Sequence, residues 1–265
     1  MNQNYYLYKN YWRYSGAPHE EKKLDEGIAE ALLKQGGFLV RNTYGFDCKE
    51  ETSFWYVIKD RFGGFDELSS NTRRKVRKAL DCLEYRIVDM ESIKQKGFAI
   101  YSEALKAYPA DGSALSEKDF VDTVEAHRSE CWGCFDKTTG SLVGFSINHL
   151  WDEACGYELM SLLPEYRHNA TYAYYGLIHS MNEHYLVNQG LRYVSDGSRS
   201  ITEHSGVHEW LMDNFNFRKV HCNLDIYYKK WMKVAVKVLY PFRKMIILSR
   251  VKAVLNMEAM RRGEK

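Results

Sequence analysis

Ser161-Leu162-Leu163-Pro164-Glu165-Tyr166-Arg167-His168-Asn169-Ala170-Thr171-Tyr172-Ala173 is the stretch on which the reading of this sequence turns. It follows an apolar run from Ala154 to Leu163, which reads as a strand, and leads into a helix from about Tyr172 to Asn188, closed by Gly190. Residues 164–171 form a polar loop between them. A helix start leaves backbone N–H groups unpaired and carries partial positive charge. It is a natural seat for phosphate or pyrophosphate, and Arg167 and His168 add charge-assisted donors.

Upstream, Leu24 to Gln35 carries apolar residues at helical spacing and stops at Gly36-Gly37. Residues 38–44 and 53–59 are rich in aromatic and branched side chains and read as strands. Leu68 to Leu80 reads as a helix capped by Ser69 or Ser70, with Val76 and Leu80 on its buried stripe. Five of its six residues from 73 to 78 are basic. Glu84 to Asp89 is a short strand, Ser92 to Ala107 a helix, and Ser116 to Ser129 a second helix with Ser116 as its cap. Strands follow around 131–136, 141–151 and 154–163. After the 172–188 helix come a strand at 191–195, a loop at 196–200 and a short helix at 206–214. Val220, Cys222, Leu224, Ile226 and Tyr228 then alternate with polar residues, as in one half-buried strand. From residue 84 the order is β-α-α-β-β-β-α-β-α-β. It predicts a mixed α/β (α+β) fold around one central, mostly antiparallel sheet flanked by helices.

The central stretch resembles the coenzyme A motif of the GNAT superfamily of N-acyltransferases: an apolar strand, a proline, then R/Q-x-x-G-x-G/A. Pro164 and Arg167 match, while Ala170 and Tyr172 replace the two glycines. Trp210-Leu211-Met212-Asp213-Asn214-Phe215-Asn216-Phe217 is similar to the superfamily's helix-to-strand ending, with Met212 where many members have a tyrosine. Leu68-Ser69-Ser70-Asn71-Thr72-Arg73-Arg74-Lys75-Val76-Arg77-Lys78-Ala79 resembles the L-S-x-x-x-R-x-x-I-R-K-A helix of Fem-type proteins. Those are bacterial-type, GNAT-fold aminoacyltransferases that draw on aminoacyl-tRNA to build peptidoglycan bridges. The chain is too short for two complete GNAT domains and shows no long heptad insert, so it reads as a reduced relative or one that has lost tRNA use.

The resemblance implies transfer of an acyl or aminoacyl group from acyl-CoA (acetyl-CoA) or aminoacyl-tRNA to an amine, with tRNA or a cell-wall precursor as partner. It implies a carrier-binding set of Leu162, Leu163, Arg167, His168, Asn169, Ala170 and Thr171. Acyl transfer to an amine needs a donor for the developing oxyanion, an aligned amine and a base. A backbone N–H near Leu162 can supply the first where the strand splays from its neighbour. Glu158, four residues earlier and expected on the same strand face, is the first candidate base. Asp196, at the carboxyl end of the next strand, is the second; a turn-forming Asp before Gly197 is its other reading. His204 and His208 suit a base by chemistry, but no third group orients them in the sequence, so they also read as surface or capping residues. The basic 73–78 run suits phosphate or RNA, or is a solvated helix face.

The chain has 265 residues, with 45% hydrophobic and 27% charged, an ordinary globular balance. Its 4 prolines and the absence of low-complexity tracts argue against disorder. No apolar run approaches the ~20 residues of a spanning helix, and no secretion signal is visible, so a cytoplasmic location is expected. The six cysteines are expected to be reduced, and Cys131-Trp132-Gly133-Cys134 reads as structural because residues three apart on a strand face opposite sides. No metal site is expected. From Lys229 to Lys265 there are 11 Lys/Arg against two acids. Such a basic tail suits a polyanion or an anionic membrane surface. The expected division is an N-terminal extension over 1–67, a GNAT-like domain over 68–230 and a basic amphipathic tail over 231–265, with peripheral membrane contact through the tail. The rival reading is a catalytically degenerate GNAT-fold module docking on RNA or anionic membrane through the basic helix and tail.

Overall fold

Alternating apolar strands and amphipathic helices fold as two units in a computed structural model, which describes residues 4–8, 10–107, 114–126, 128–167, 171–201 and 206–264. The elements are, in chain order, β1 (Tyr5–Tyr8), β2 (Tyr11–Tyr14), α1 (Glu26–Gln35), β3 (Leu39–Tyr44), β4 (Trp55–Lys59), α2 (Ser70–Cys82), β5 (Leu83–Val88), α3 (Met90–Ala107) and α4 (Glu117–Val124). Then follow β6 (Ser129–Asp136), β7 (Leu142–Leu150), β8 (Ala154–Leu162), α5 (Pro164–Arg167), α6 (Ala173–Glu183), β9 (Tyr193–Ser198), α7 (Val207–Phe215), β10 (Arg218–His221), β11 (Asn223–Tyr228), α8 (Lys230–Leu239) and α9 (Ser249–Arg261). One unit comprises residues 1–57, 198–207 and 219–265; the other comprises 58–197 and 208–218. A four-stranded sheet runs β1-β2-β3-β11, and a seven-stranded sheet runs β10-β4-β9-β8-β7-β6-β5.

In the second unit, β5 through β8 pair antiparallel and β8 pairs parallel with β9, so the sheet is mixed. One core cluster joins Val88, Cys131, Phe145 and Ile147 of the strands to Ile93 and Ile100 of α3 and Phe120 of α4. A second joins Leu83, Cys134 and Leu162 to Ala173 of α6. Cys131 and Cys134 therefore face opposite sides of the sheet, as their spacing on a strand predicts. Burial pushes their thiols up to about 11 and about 12, which keeps both in the unreactive neutral form.

Local chemistry explains the helix boundaries. Ser69 is the cap of α2: its Oγ accepts from the Thr72 N–H at 3.2 Å. Ser116 does the same for α4 with the Asp119 N–H at 3.1 Å. Ser69→Ala is expected to cost about 1 kcal/mol of stability in chemical denaturation. Gly176 of α6 lies under Tyr85, whose hydroxyl donates to the Ala173 carbonyl at 3.0 Å. A Cβ at Gly176 would stand 2.4–2.5 Å from the Tyr85 ring and hydroxyl. Gly176→Ala therefore forces the ring off its bond, and a loss of about 1–3 kcal/mol in urea unfolding is expected.

Several elements differ from the sequence reading. The helix expected over 116–129 ends at Val124 and β6 begins at Ser129, and the loop expected from 164 opens with the turn α5. The strand expected to end at Ser195 runs to Ser198, so Asp196-Gly197 is strand and not a turn, although Gly197 keeps a positive φ of 83°. The single strand expected over 220–228 is two, β10 and β11, which belong to different sheets. Val220, Cys222, Leu224 and Ile226 are all buried, so the alternation passes through the break without a mark. Residues 5–14, to which the sequence reading gave no element, form a hairpin that pairs Tyr5 with Tyr14 and Tyr8 with Tyr11, and Asn10 takes a left-handed φ of 70°.

Candidate functional site at the opening between β8 and β9

The pairing of β8 with β9 covers only Ala154, Cys155 and Gly156, opposite Tyr193, Val194 and Ser195. Beyond Gly156 the two strands part. At the same place β8 carries a bulge against β7: Ile147 pairs with Leu159 and Asn148 with Tyr157, leaving Glu158 as the extra residue. The bulge shifts the side-chain alternation by one. Glu158 and Leu162 therefore do not share a face, contrary to the sequence expectation. Exposed Glu158 instead turns to the side of Gly156, where a Cβ would lie 3.7 Å from its Oε1 and 2.9 Å from the Trp151 ring.

Past the bulge the ladder is regular, and the Leu163 N–H donates to the Val143 carbonyl at 2.9 Å. The Leu163 N–H is therefore used within the sheet ladder. Antiparallel strands alternate their N–H directions, so the N–H of Leu162 points away from β7, towards the opening. Pro164 has no N–H, and Tyr166 N–H returns to the Leu163 carbonyl at 2.9 Å, which makes the single turn α5. Arg167 closes that turn with an exposed side chain. Its charge reaches Tyr174, whose phenol burial raises and Arg167 lowers. His168, Asn169 and Ala170 lie outside the described residues, as does His204.

Tyr172 is the residue before α6 and takes the left-handed conformation, φ 53° and ψ 42°. An L side chain rarely adopts it, and glycine adopts it without penalty. This is where the GNAT motif has its second glycine. The Tyr172 ring is held from the α2 side: the Arg74 guanidinium is 5.8 Å and Lys75 Nζ 5.7 Å from its centroid. Lys75 also sits 4.7 Å over the Tyr175 ring and donates to its hydroxyl at 3.0 Å, and Trp210 Nε1 donates to the same hydroxyl at 3.1 Å. Part of the basic run thus secures the start of α6. Arg74, Arg77 and Lys78 remain exposed and, with Ser70, Arg73 and Asp81, line an open hollow along α2.

The structure brings Asp196 and His208 together. Nε2 of His208 is 3.1 Å from the Asp196 carbonyl oxygen and 3.3 Å from its Oδ2, with the side chains only 16% and 13% exposed. Both neighbours of Nε2 are acceptors, so Nε2 carries the hydrogen and the neutral ring holds its lone pair on Nδ1. Burial pulls the His208 pKa down, but the bonds to Asp196 and its charge outweigh that, and the pKa lies above the usual histidine value. Burial also raises the Asp196 carboxyl above the usual range, against the pull of His208. The third group that the sequence did not reveal for His208 is therefore Asp196, on the strand that borders the opening. Met212, on the same helix α7, is half-buried.

No protein-family model matches the sequence, and no curated protein matches it. Solved structures do match the fold. FemX aligns at a TM-score of 0.57 and 10% identity, over 83% of this chain and 77% of its own. The fold is GNAT-like and of the Fem type. L-PGS from Bacillus licheniformis aligns at 0.53 and 10% identity, over 98% of this chain and 85% of its own. The C-terminal DUF2156 domain of a candidate lysylphosphatidylglycerol synthetase from Agrobacterium fabrum aligns at 0.46 and 12% identity, over 73% of this chain and 66% of its own. The mixed sheet flanked by helices expected from the sequence is thus the fold observed. The opening between β8 and β9 lies in the stretch that the sequence motif marked. No helix among the described residues is long and apolar enough to cross a membrane.

Proposed function

We propose that this chain is an N-acyltransferase that moves an aminoacyl or acyl group from a phosphate-bearing carrier to an amine at the opening between β8 and β9. The observation that carries the proposal is the Asp196–His208 pair beside that opening. The amine nitrogen attacks the acyl carbonyl carbon, and the Leu162 N–H faces the developing oxyanion. Nδ1 of His208 takes the proton that the nitrogen loses, while Asp196 orients the ring and balances its charge. The bond from the acyl carbon to the carrier then breaks, and the released carrier oxygen or sulfur takes the proton from the His208 imidazolium, which restores the base. Arg167, residues 168–171 and the first N–H groups of α6 hold the carrier phosphates. Glu158, at the mouth of the opening, is the second carboxylate; it attracts the acceptor as an ammonium ion and takes the proton whose loss frees the nitrogen lone pair before attack.

Aminoacyl-tRNA is the donor favoured over acetyl-CoA. Tyr172 stands where the coenzyme A motif needs close backbone approach, and exposed Arg74, Arg77 and Lys78 offer a basic face suited to an extended phosphate backbone. The Fem-type fold supports the same choice. The test measures binding of charged tRNA against coenzyme A and acetyl-CoA, then transfer of a labelled amino acid to a panel of amines. Binding of charged tRNA that falls with salt, followed by labelled product, is expected. Arg167→Ala is expected to weaken carrier binding about ten- to a hundred-fold. Failure of charged tRNA, and of coenzyme A at millimolar concentration, to bind overturns the proposal.

A further inference from the structure

The apolar outer face of α8 and the segment after it have no counterpart in the acyl-transfer site. Helix α8 is apolar on two sides. Its inner side packs through Met232 and Val236, with Tyr240 just beyond the helix, against Leu255 and Val251 of α9. Its outer side carries Trp231, Val234 and Val238 at steps of three and four, which is one stripe. These three are 59%, 63% and 59% exposed. The exposure continues beyond the helix through Phe242, Met245, Ile247 and Leu248, with Ile247 at 93%. In the other direction, Phe38 packs edge-on against Trp231 with centroids 5.6 Å apart and is itself exposed. Single exposed apolar residues are ordinary; a continuous band of them marks an interaction surface.

The charges around the band identify what it meets. Both acids after Lys229 are paired with arginines, and Glu258 is buried. Glu258 is buried in ion pairs with Arg261 and Arg262 and accepts from the Tyr228 hydroxyl. Glu264 pairs with Arg243 and accepts from the Tyr240 hydroxyl. The side chains that remain outward are cations: Lys230, Lys233 and Lys237 beside the stripe, then Lys244, Arg250 and Lys252. An apolar stripe bordered by lysines, with a tryptophan at one end, is the pattern of a helix lying in a bilayer interface. The apolar side chains enter the acyl boundary, the lysines meet anionic headgroups, and the indole suits the headgroup level. A protein partner would not require a cationic border of this one sign.

We infer that the outer face of α8 and residues 242–248 form a docking surface for an anionic lipid bilayer. The test is flotation of the full chain with vesicles of phosphatidylcholine alone and of phosphatidylcholine mixed with phosphatidylglycerol. Binding to the mixed vesicles only is expected, with a blue shift in tryptophan emission that Trp231→Phe removes. Val234→Asp with Val238→Asp is expected to abolish flotation. Lys233→Glu with Lys237→Glu is expected to weaken it about ten-fold or more, and added salt to weaken it further. All four side chains are exposed, and unchanged thermal unfolding verifies that each variant is folded. No flotation with the mixed vesicles, or flotation that the aspartate pair leaves unchanged, overturns the inference. So does a concentration-dependent dimer in sedimentation that the aspartate pair dissolves, because a second copy would then be the occupant. None of these readouts depends on acyl transfer.

Discussion

Lys59→Ala is expected to destabilise the protein by about 3 kcal/mol, a large share of a typical folding stability of ~5–15 kcal/mol. Lys59 ends β4 and is 2% exposed. Its Nζ donates to the Phe215 carbonyl at 2.8 Å and pairs with Glu67 Oε1 at 2.8 Å. Phe215 is the last residue of α7, so this ammonium group satisfies a carbonyl at a helix end and balances a carboxylate together. Removing it leaves both without a partner in a site with little water. Glu67 keeps 16% exposure, which places the cost at the low end of ~3–5 kcal/mol for breaking a buried pair. Lys59→Met combined with Glu67→Leu removes both charges and is expected to recover much of the loss. Urea unfolding of the two variants decides the matter: a single variant within about 1 kcal/mol of the parent would show that the pair is not the element that fixes β4.

His208→Ala is expected to lower the transfer rate about 10²- to 10⁴-fold, the span typical of a lost general base. Substrate binding and thermal unfolding should change far less. The pH profile is the more discriminating readout. With Asp196 present, His208 titrates above ~6.5, so the rate rises with pH through a value above that figure. In Asp196→Asn the bond and charge that raise it are weakened and burial prevails, so the rising limb moves to lower pH. A limb that stays in place would remove His208 from the role of base. The same shift predicts how stability depends on pH. A histidine whose pKa is raised by folding contributes stability that is complete below ~6.5 and is lost as pH rises through the folded value. Asp196 is also raised, so its ionisation above ~3.8 works against the folded state in the same direction. Between the ordinary pKa of each group and its folded value, the unfolded chain holds fewer protons at these two sites, and their contribution to stability falls with rising pH.

Local signals in the sequence carried much of the fold. Ser69 and Ser116 cap the helices that their positions suggested, and the apolar periodicity of residues 84–163 yields the strands and helices of the central sheet. The strand–loop–helix motif at 154–190 lies where the sheet opens. What stayed hidden depends on pairing between distant residues. Nothing in Ala154–Leu162 announces that Glu158 is an extra residue against β7, yet that bulge decides which side chains share a face. Asp196 looked like a turn residue because Asp-Gly so often is one, whereas here the strand continues and the carboxylate turns to His208. The only local hint was an acid at a strand's carboxyl end followed, twelve residues later, by a histidine on the next helix. The N-terminal hairpin escaped because its tyrosines carry no apolar–polar alternation to read.

The antiparallel pairing of β3 with β11, which sets Tyr44 against Asn223, has a consequence for biosynthesis. The two strands are made far apart in time. At 5–20 residues per second, roughly ten to forty seconds separate them on the ribosome. Throughout that interval the nascent chain presents the hydrogen-bonding edge of β3 with its eventual neighbour not yet translated. An early stop codon before β11 should therefore yield a product that recruits chaperones or precipitates, even though Asp196, His208 and the rest of the proposed site have already been synthesised.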